Sequence, residues 1–482
     1  MIPRTAAAAV AFIILAAGPA LAAPSPTPSP RPSPMGAGAT PAPAAPYSAS
    51  ATQPMALTLS QAETIALASS PALALARGQL ESALGALGTS RAGELPNISG
   101  AANTGRAKSV SPPGNFAGFT TPSTTTLTTS KSASLTLRQL LVDGGRVHEA
   151  VSAAKFSSDA SRYDLERQIQ TVEFNVASAY YLALQARHTL QVARDSLNLA
   201  EVQLKLVQAQ FKAGVASRAD VLTAQLPVAQ AQLLVAQDAN GEQTQLASML
   251  NTMGLPSQTA VTIADESAAP VVLPALSDAL STADSQRPDL LAAQSSADAA
   301  GASLRSARLG LFPSISGTGS TNTNSSKQTT NQPNTSGSGP PTLSTTTSGV
   351  YAPSWSVGLS LSVPIFDGGL TRGETAQAQG ALDQANANLK TTQLLVSLNI
   401  QQAYLGVETA EAGLSAADAE YAQAKTVLDV TNAQYKSGVT TLPLLLNAQV
   451  GLAKAEGDQV NALYTYKTAW QQLLFAEGTL GR

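Results

Sequence analysis

Cysteine is missing from all 482 residues. That excludes disulfides, a cysteine nucleophile and a lipid-anchored cysteine behind an export signal; an exported chain without cysteine is compatible with a bacterial envelope. Only two histidines occur. His148 and His188 fall on one predicted helix, separated by roughly 60 Å at about 1.5 Å per residue, so they share no metal. Charged residues make up 12% and the net charge is −3. Without a basic patch, that balance argues against nucleic acid as a partner. Aromatics are 4%, thin for an enzyme core of this size. No phosphate-binding glycine loop is present. Carboxylates such as Asp164 and Glu166 read as helix-surface charges, not a cluster. An enzyme is therefore the weakest reading, and no cofactor or metal is expected. No apolar run reaches the roughly 20 residues of a spanning helix.

What is present begins with an export signal over residues 1–22. Arg4 gives the positive start, an apolar run follows, and Ala20-Leu21-Ala22 is an A-x-A cleavage site. Residues 23–56 are rich in Pro, Ser and Ala and read as a disordered leader. The rest is a duplication: repeat 1 over 57–276 and repeat 2 over 277–482. Asp143-Gly144-Gly145 returns as Asp367-Gly368-Gly369, and Phe211-Lys212-Ala213-Gly214-Val215 as Tyr435-Lys436-Ser437-Gly438-Val439. Both motifs are displaced by the same distance along the chain, and fixed-distance self-similarity signals a repeat architecture. An earlier set, Pro71, Pro96 and Ile98-Ser99-Gly100, returns as Pro288, Pro313 and Ile315-Ser316-Gly317. Its displacement is slightly shorter and equally constant within the set, so the middle of the second repeat is the longer one.

Each repeat opens with a helix, Ser60 to Arg91 and Ser277 to Arg308, broken at Pro71 and Pro288. Ser60 with Glu63 reads as the first cap. Between the two motifs run helices expected at Arg146–Phe211 and Leu370–Tyr435, each about 100 Å long. Val172, Val176, Ala179 and Ala183 form a narrow stripe, repeated by Val396, Ile400, Ala403 and Val407, at coiled-coil spacing. Gly214 and Gly438 suit the left-handed ends of those helices. Return helices are expected at Asp220–Met253 and Leu444–Glu477, with Gly254–Pro274 as a connector.

The remaining middles have period-2 alternation at their edges. Val357, Leu359, Leu361 and Val363 alternate with Ser356, Gly358, Ser360 and Ser362. The expectation is four strands of about ten residues, with Thr318–Gly349 largely an exposed loop. Trp355–Phe366 would span about 35 Å at roughly 3.3 Å per residue. Tilted, that crosses the apolar band of an outer-membrane barrel, with Tyr351 and Trp355 at one rim and Phe366 at the other. Four strands close no barrel alone, so several chains would build it together.

This order of elements, with both motifs twice at one register, resembles the TolC-like outer membrane efflux proteins over about residues 57–480. The resemblance implies a mostly α fold: a two-repeat, long-helix coiled-coil barrel plus four β-strands per chain, closed into a membrane β-barrel as a homotrimer. It implies an exit duct for efflux or type I secretion in the bacterial outer membrane, with its helices in the periplasm. Its partners would be a periplasmic adaptor, an inner-membrane pump and outer-membrane lipid.

The resemblance also assigns positions. Asp143, Gly144, Gly145, Asp367, Gly368 and Gly369 mark the membrane junction. Ala213, Gly214, Val215, Ser437, Gly438 and Val439 form the tip that meets the adaptor, where the bland reading is a helix cap. Asp220 and Tyr435 match a latch between neighbouring coiled coils, where the bland readings are capping and packing. At the remaining gate positions the chain departs from the family: Thr440 replaces an Arg, and Leu444 and Asn447 replace two Asp. Rings of Leu and Asn neither concentrate cations nor hold a multivalent plug strongly. The rival reading is a trimeric coiled-coil adhesin stalk, which would usually keep its strands at one end of the chain.

Overall fold

The computed structural model describes residues 55–116, 119–265, 273–334 and 342–481. The expected signal and nearly all of the expected leader lie outside the described residues. Met55 and Ala56, assigned above to the leader, instead belong to a short strand, β1 (Met55–Leu57). Then come α1 (Leu59–Ser69), α2 (Pro71–Ala92), β2 (Asn97–Ser111), β3 (Gly114–Phe116), β4 (Phe119–Thr121), β5 (Thr124–Val142), α3 (Arg146–Lys212) and α4 (Arg218–Thr252). β6 (Val261–Ile263) lies in the connector. The second half contains α5 (Leu276–Gln286), α6 (Pro288–Arg308), β7 (Ser314–Asn334), β8 (Thr342–Ser362), α7 (Leu370–Lys436) and α8 (Leu442–Glu477).

Local chemistry explains the helix boundaries. The first cap is Thr58, not Ser60: Thr58 Oγ1 accepts from the Gln61 N–H, and the Gln61 side chain accepts from the Thr58 N–H. Both T-x-x-Q and S-x-x-E satisfy the capping-box rule here, and the structure uses the earlier one. Pro71 and Pro288 each occupy a first-turn position after a residue in extended conformation, where proline's missing N–H is no loss. α3 and α7 are each 67 residues long, about 100 Å at 1.5 Å per residue. α4 and α8 begin two residues before the expected starts.

The strands correct the expected lengths. β2, β5, β7 and β8 span 15, 19, 21 and 21 residues, so most of Thr318–Gly349 is strand rather than loop. They form one antiparallel sheet in the order β2-β5-β7-β8. Asn97 pairs with Arg138, and Ser314 with Ser362. Ser314 is the repeat counterpart of Asn97, and Ser362 that of Arg138, so both hairpins keep one register.

The helices α2, α3, α6 and α7 lie side by side in that order, with α4 and α8 packed against α3 and α7. The main core is built on α3: Val172, Val176, Tyr180 and Leu184 pack with Leu57, Met249, Met253 and Ile263. A second cluster joins Val396, Ile400, Ala403 and Val407 to Ala279, Ala283 and Leu473. Both stripes seen in the sequence therefore face cores, although Ala179 lies only at the edge of its core. α3, flanked on both sides, buries sixteen residues. α7, with one flank open, buries seven.

Candidate functional site

Three regions carry the residues singled out from the sequence. At the sheet–helix junction, the two Asp-Gly-Gly motifs start the long helices. Asp143 Oδ1 accepts from the Gly145 N–H at 3.0 Å, and its Oδ2 from the Val147 N–H at 2.7 Å. Asp367 repeats this with Gly369 at 2.9 Å and Thr371 at 2.8 Å. Each aspartate thus satisfies N–H groups that have no partner inside the helix. Gly145 and Gly369 adopt φ of 92° and 89°, a region costly for other residues. A Cβ on Gly144 would lie 2.4 Å from the Phe312 ring, whereas among the described residues nothing lies within 4 Å of the same position on Gly368. The first motif is covered by the second repeat, and the second motif is open.

The four-stranded sheet has two unlike faces. Trp355, Val357, Leu359 and Leu361 are all exposed. Register puts Leu135 in line with Thr321 and Trp355, and Leu137 in line with Gly319 and Val357. They therefore share the face of Ile98, which pairs with Leu137. The opposite face carries Ser354, Ser356, Ser360, Ser320, Ser134 and other small polar residues. An exposed apolar face of this extent is unusual for a protein in water and marks an interaction surface. The outer strands, β2 and β8, each leave one edge unpaired among the described residues.

At the far end, Gly214 and Gly438 have φ of 76° and 77°. The Val215 and Val439 N–H groups donate back to the carbonyls of Gln210 and Gln434. Ala213 and Ser437 are the C-caps, and Val215 and Val439 are 80% and 76% exposed. Between the hairpins, Val207, Ala224, Leu442 and Leu446 form a small apolar cluster, edged by Val221 and Tyr435.

Asp220 and Tyr435 come near each other, but among the described residues each side chain bonds to another partner. Asp220 closes a capping box, accepting from the Ser217 N–H and hydroxyl, both at 2.8 Å. Those bonds hold its carboxyl below the usual range. The Tyr435 hydroxyl donates to Gln210 Oε1 at 3.2 Å. Burial, and secondarily the Asp220 charge, raise its pKa. Leu444, Asp220's counterpart in the second repeat, is 53% exposed. Asn447 is exposed, Thr440 is half-buried, and Thr441 caps α8 without a side-chain bond.

A clamp on the connector had no signal in the sequence. β6 pairs with β1 in parallel. Tyr180 donates to the carbonyls of Leu57 and Ala264. Asp265 meets Arg187 at 2.9 Å and His188 at 3.0 Å. His188 therefore has a carboxylate partner, far along the helix from His148.

The outer membrane efflux protein profile matches residues 64–255 and 279–479. The chain belongs to this family. Membership makes it an outer-membrane protein with a long periplasmic helical part. The family match also follows the two repeats: each matched stretch ends just past one return helix. Alkaline protease secretion protein AprF of Pseudomonas aeruginosa is 31% identical over 125 residues, 26% of each chain. Outer membrane protein TolC of Escherichia coli is 28% identical over 124 residues, 26% of this chain and 25% of that one. The chain thus spans about a quarter of the length of the curated relatives it matches. Over the whole fold, the Campylobacter jejuni CmeC outer membrane channel has a TM-score of 0.70 at 20% identity, covering 87% of this chain and 85% of that one. These relatives are channel and secretion proteins, not enzymes.

Proposed function

We propose that this efflux-family chain forms the exit duct of a tripartite efflux or type I secretion assembly. Three copies would close one barrel and one helical tunnel. The observation that carries this reading is the open end of a repeating structure. Within the chain, β5 pairs with β7, Thr136 opposite Ser320. The repeat counterpart of Thr136 is Ser360 on β8, and that of Ser320 is Asn103 on β2. Carrying the pair across the repeat therefore sets Ser360 opposite Asn103, a pairing available only between copies. In that register Leu361 meets Ala102, so the apolar face continues unbroken around the ring. A register slipped by one residue would put apolar side chains on both faces. The same operation sets α7's open flank against the next copy's α2. It also brings Leu95, the counterpart of Phe312, over Gly368; Leu95 is 63% exposed in the single chain.

The apolar face then meets lipid and the small polar face lines the bore. The tip residues Ala213–Val215 and Ser437–Val439 would receive the adaptor, with the pump beneath it. Asp220, Tyr435, Thr440, Leu444 and Asn447 would surround the mouth. The Asp220 geometry favours capping within the chain, leaving the Leu442–Leu446 cluster as the stronger hold on the tip. A photocrosslinker at Gly214 or Ser437 in living cells tests the reading. Capture of a periplasmic adaptor, together with drug or toxin sensitivity on deletion, is the expected outcome. Surface adhesion without sensitivity, and no adaptor captured, would favour the adhesin-stalk reading instead.

A further inference from the structure

Every charged side chain in the four long strands is a cation: Arg106, Lys108, Lys131, Arg138 and Lys327. Four of the five stand together once register is followed. Thr104 pairs with Lys131, Lys131 with Ser325, and Ser325 with Tyr351. One row toward the hairpin ends, Arg106 pairs with Thr129, Thr129 with Lys327, and Lys327 with Gly349. Lys108 follows in the next row, opposite Leu127. All are exposed, and all share the face of Trp355, Leu359 and Leu361. Arg138 alone points to the other face.

The geometry is compact. Lys131 is diagonal to both Arg106 and Lys327, about 7–8 Å away between backbones. Arg106 and Lys327 flank Thr129, two strand spacings or roughly 10 Å apart. The result is a triangle of cations around one hydroxyl that starts in the row of Tyr351; beyond it the same face still carries Leu127 and Val110. None of the four makes an ion pair among the described residues. The four strands contain no carboxylate to neutralise them. No run of basic residues marks the patch in the sequence, because it is assembled from three strands.

We infer that this triangle is a binding site for the phosphate groups of a lipid in the outer leaflet. It rests on the barrel reading above, with the hairpin ends outside the cell. Charge complementarity and continuity with the apolar band argue for a lipid over a soluble anion. Acyl chains would lie along Leu135, Trp355 and Leu359, while the phosphate sits one row higher, within reach of two or three cations and the Thr129 hydroxyl. Charge-assisted bonds to phosphate oxygens favour Arg and Lys at such a position.

The test reconstitutes the full chain in phosphatidylcholine vesicles doped with bis-phosphorylated lipid A, or with its dephosphorylated form, and counts retained lipid by native mass spectrometry. Wild type should retain the phosphorylated form preferentially. A combined R106Q, K108Q, K131Q and K327Q variant should lose that preference by more than about ten-fold, while R138Q keeps it. Inorganic phosphate at millimolar concentration should not displace the lipid; displacement would indicate a soluble-anion site and overturn the lipid assignment. Equal retention by wild type and the combined variant would also overturn it. Quenching of Trp355 by brominated lipid in a W470F background reports insertion separately. Quenching without phosphate preference refutes this site alone, whereas no quenching refutes the barrel reading beneath it.

Discussion

Truncating Leu446 to alanine should open the mouth of the channel. Leu446 is 7% exposed and packs with Leu442 at 5%, Ala224 at 1% and Val207 at 0%. These residues come from three helices and both repeats, so the cluster ties one hairpin tip to the other. A buried Leu→Ala change costs about 2–5 kcal/mol when the cavity does not collapse. If the cluster is intact only in the closed tip, even about 2 kcal/mol shifts the closed-to-open ratio roughly thirty-fold per chain, at about 1.4 kcal/mol per factor of ten. The assay is single-channel conductance in planar bilayers, comparing wild type, Leu446→Ala and Leu446→Met. Methionine nearly conserves volume, and such swaps usually cost less than about 1.5 kcal/mol. The alanine variant should conduct more and dwell open longer, with the methionine variant near wild type. The second cluster, around Leu473 and Ile400, lies elsewhere on the helices, so helix content by circular dichroism should not change. Wild-type conductance in the alanine variant, with unchanged helix content, would refute the role given to packing.

Further outcomes follow from the same geometry. Asp220→Ala and Tyr435→Phe should each raise conductance, but less than Leu446→Ala, because Asp220 is bonded to Ser217 and Tyr435 to Gln210; no change in either removes them from the gate. Divalent and trivalent cations should block wild type weakly and Asn447→Ala no differently, while Asn447→Asp should introduce block; strong wild-type block lost in Asn447→Ala would contradict the uncharged ring. Burial raises the Glu173 carboxyl, and its Oε2 has no hydrogen-bond partner among the described residues. Its ionised form is therefore disfavoured in the fold: the penalty is absent below the ordinary glutamate range and grows as pH rises through the elevated value. Glu173→Gln should raise the melting temperature at pH 7.5 and leave it unchanged near pH 4; a stabilisation that persists in acid would contradict the cause given.

What could be read from the sequence was whatever local chemistry decides. The Asp-Gly-Gly starts and the Gly214 and Gly438 ends bounded the long helices to within one residue, because caps and positive-φ glycines act on their own neighbours. The strands were legible only where apolar residues alternate, as from Val357 to Val363. Their outer halves, such as Thr321–Asn334, are mostly Ser, Thr, Asn and Gln on both faces. Nothing there distinguishes a loop from a strand until a partner ladder supplies the hydrogen bonds, and those partners lie elsewhere in the chain. The β1–β6 pair and the Asp265 clamp were invisible for the same reason, each joining segments remote in sequence. At the tip, the resemblance pointed to Thr440, Leu444 and Asn447 as departures from the family's charged pattern. It did not show that Leu442, Leu446 and Val207 pack together there.

The most direct test of the account is a disulfide between copies. Ser360→Cys and Asn103→Cys, combined in one chain, occupy the positions that the repeat operation sets opposite each other. Directly paired strand residues lie within the roughly 4.4–6.8 Å Cα separation that a disulfide requires. Oxidation in the outer membrane should convert the protein almost wholly to a covalent trimer on a denaturing gel, while Ser360→Cys with Ala102→Cys, one residue out of register, should link poorly. No intermolecular product, or equal linking in both registers, would contradict a barrel closed between copies by continuation of the repeat.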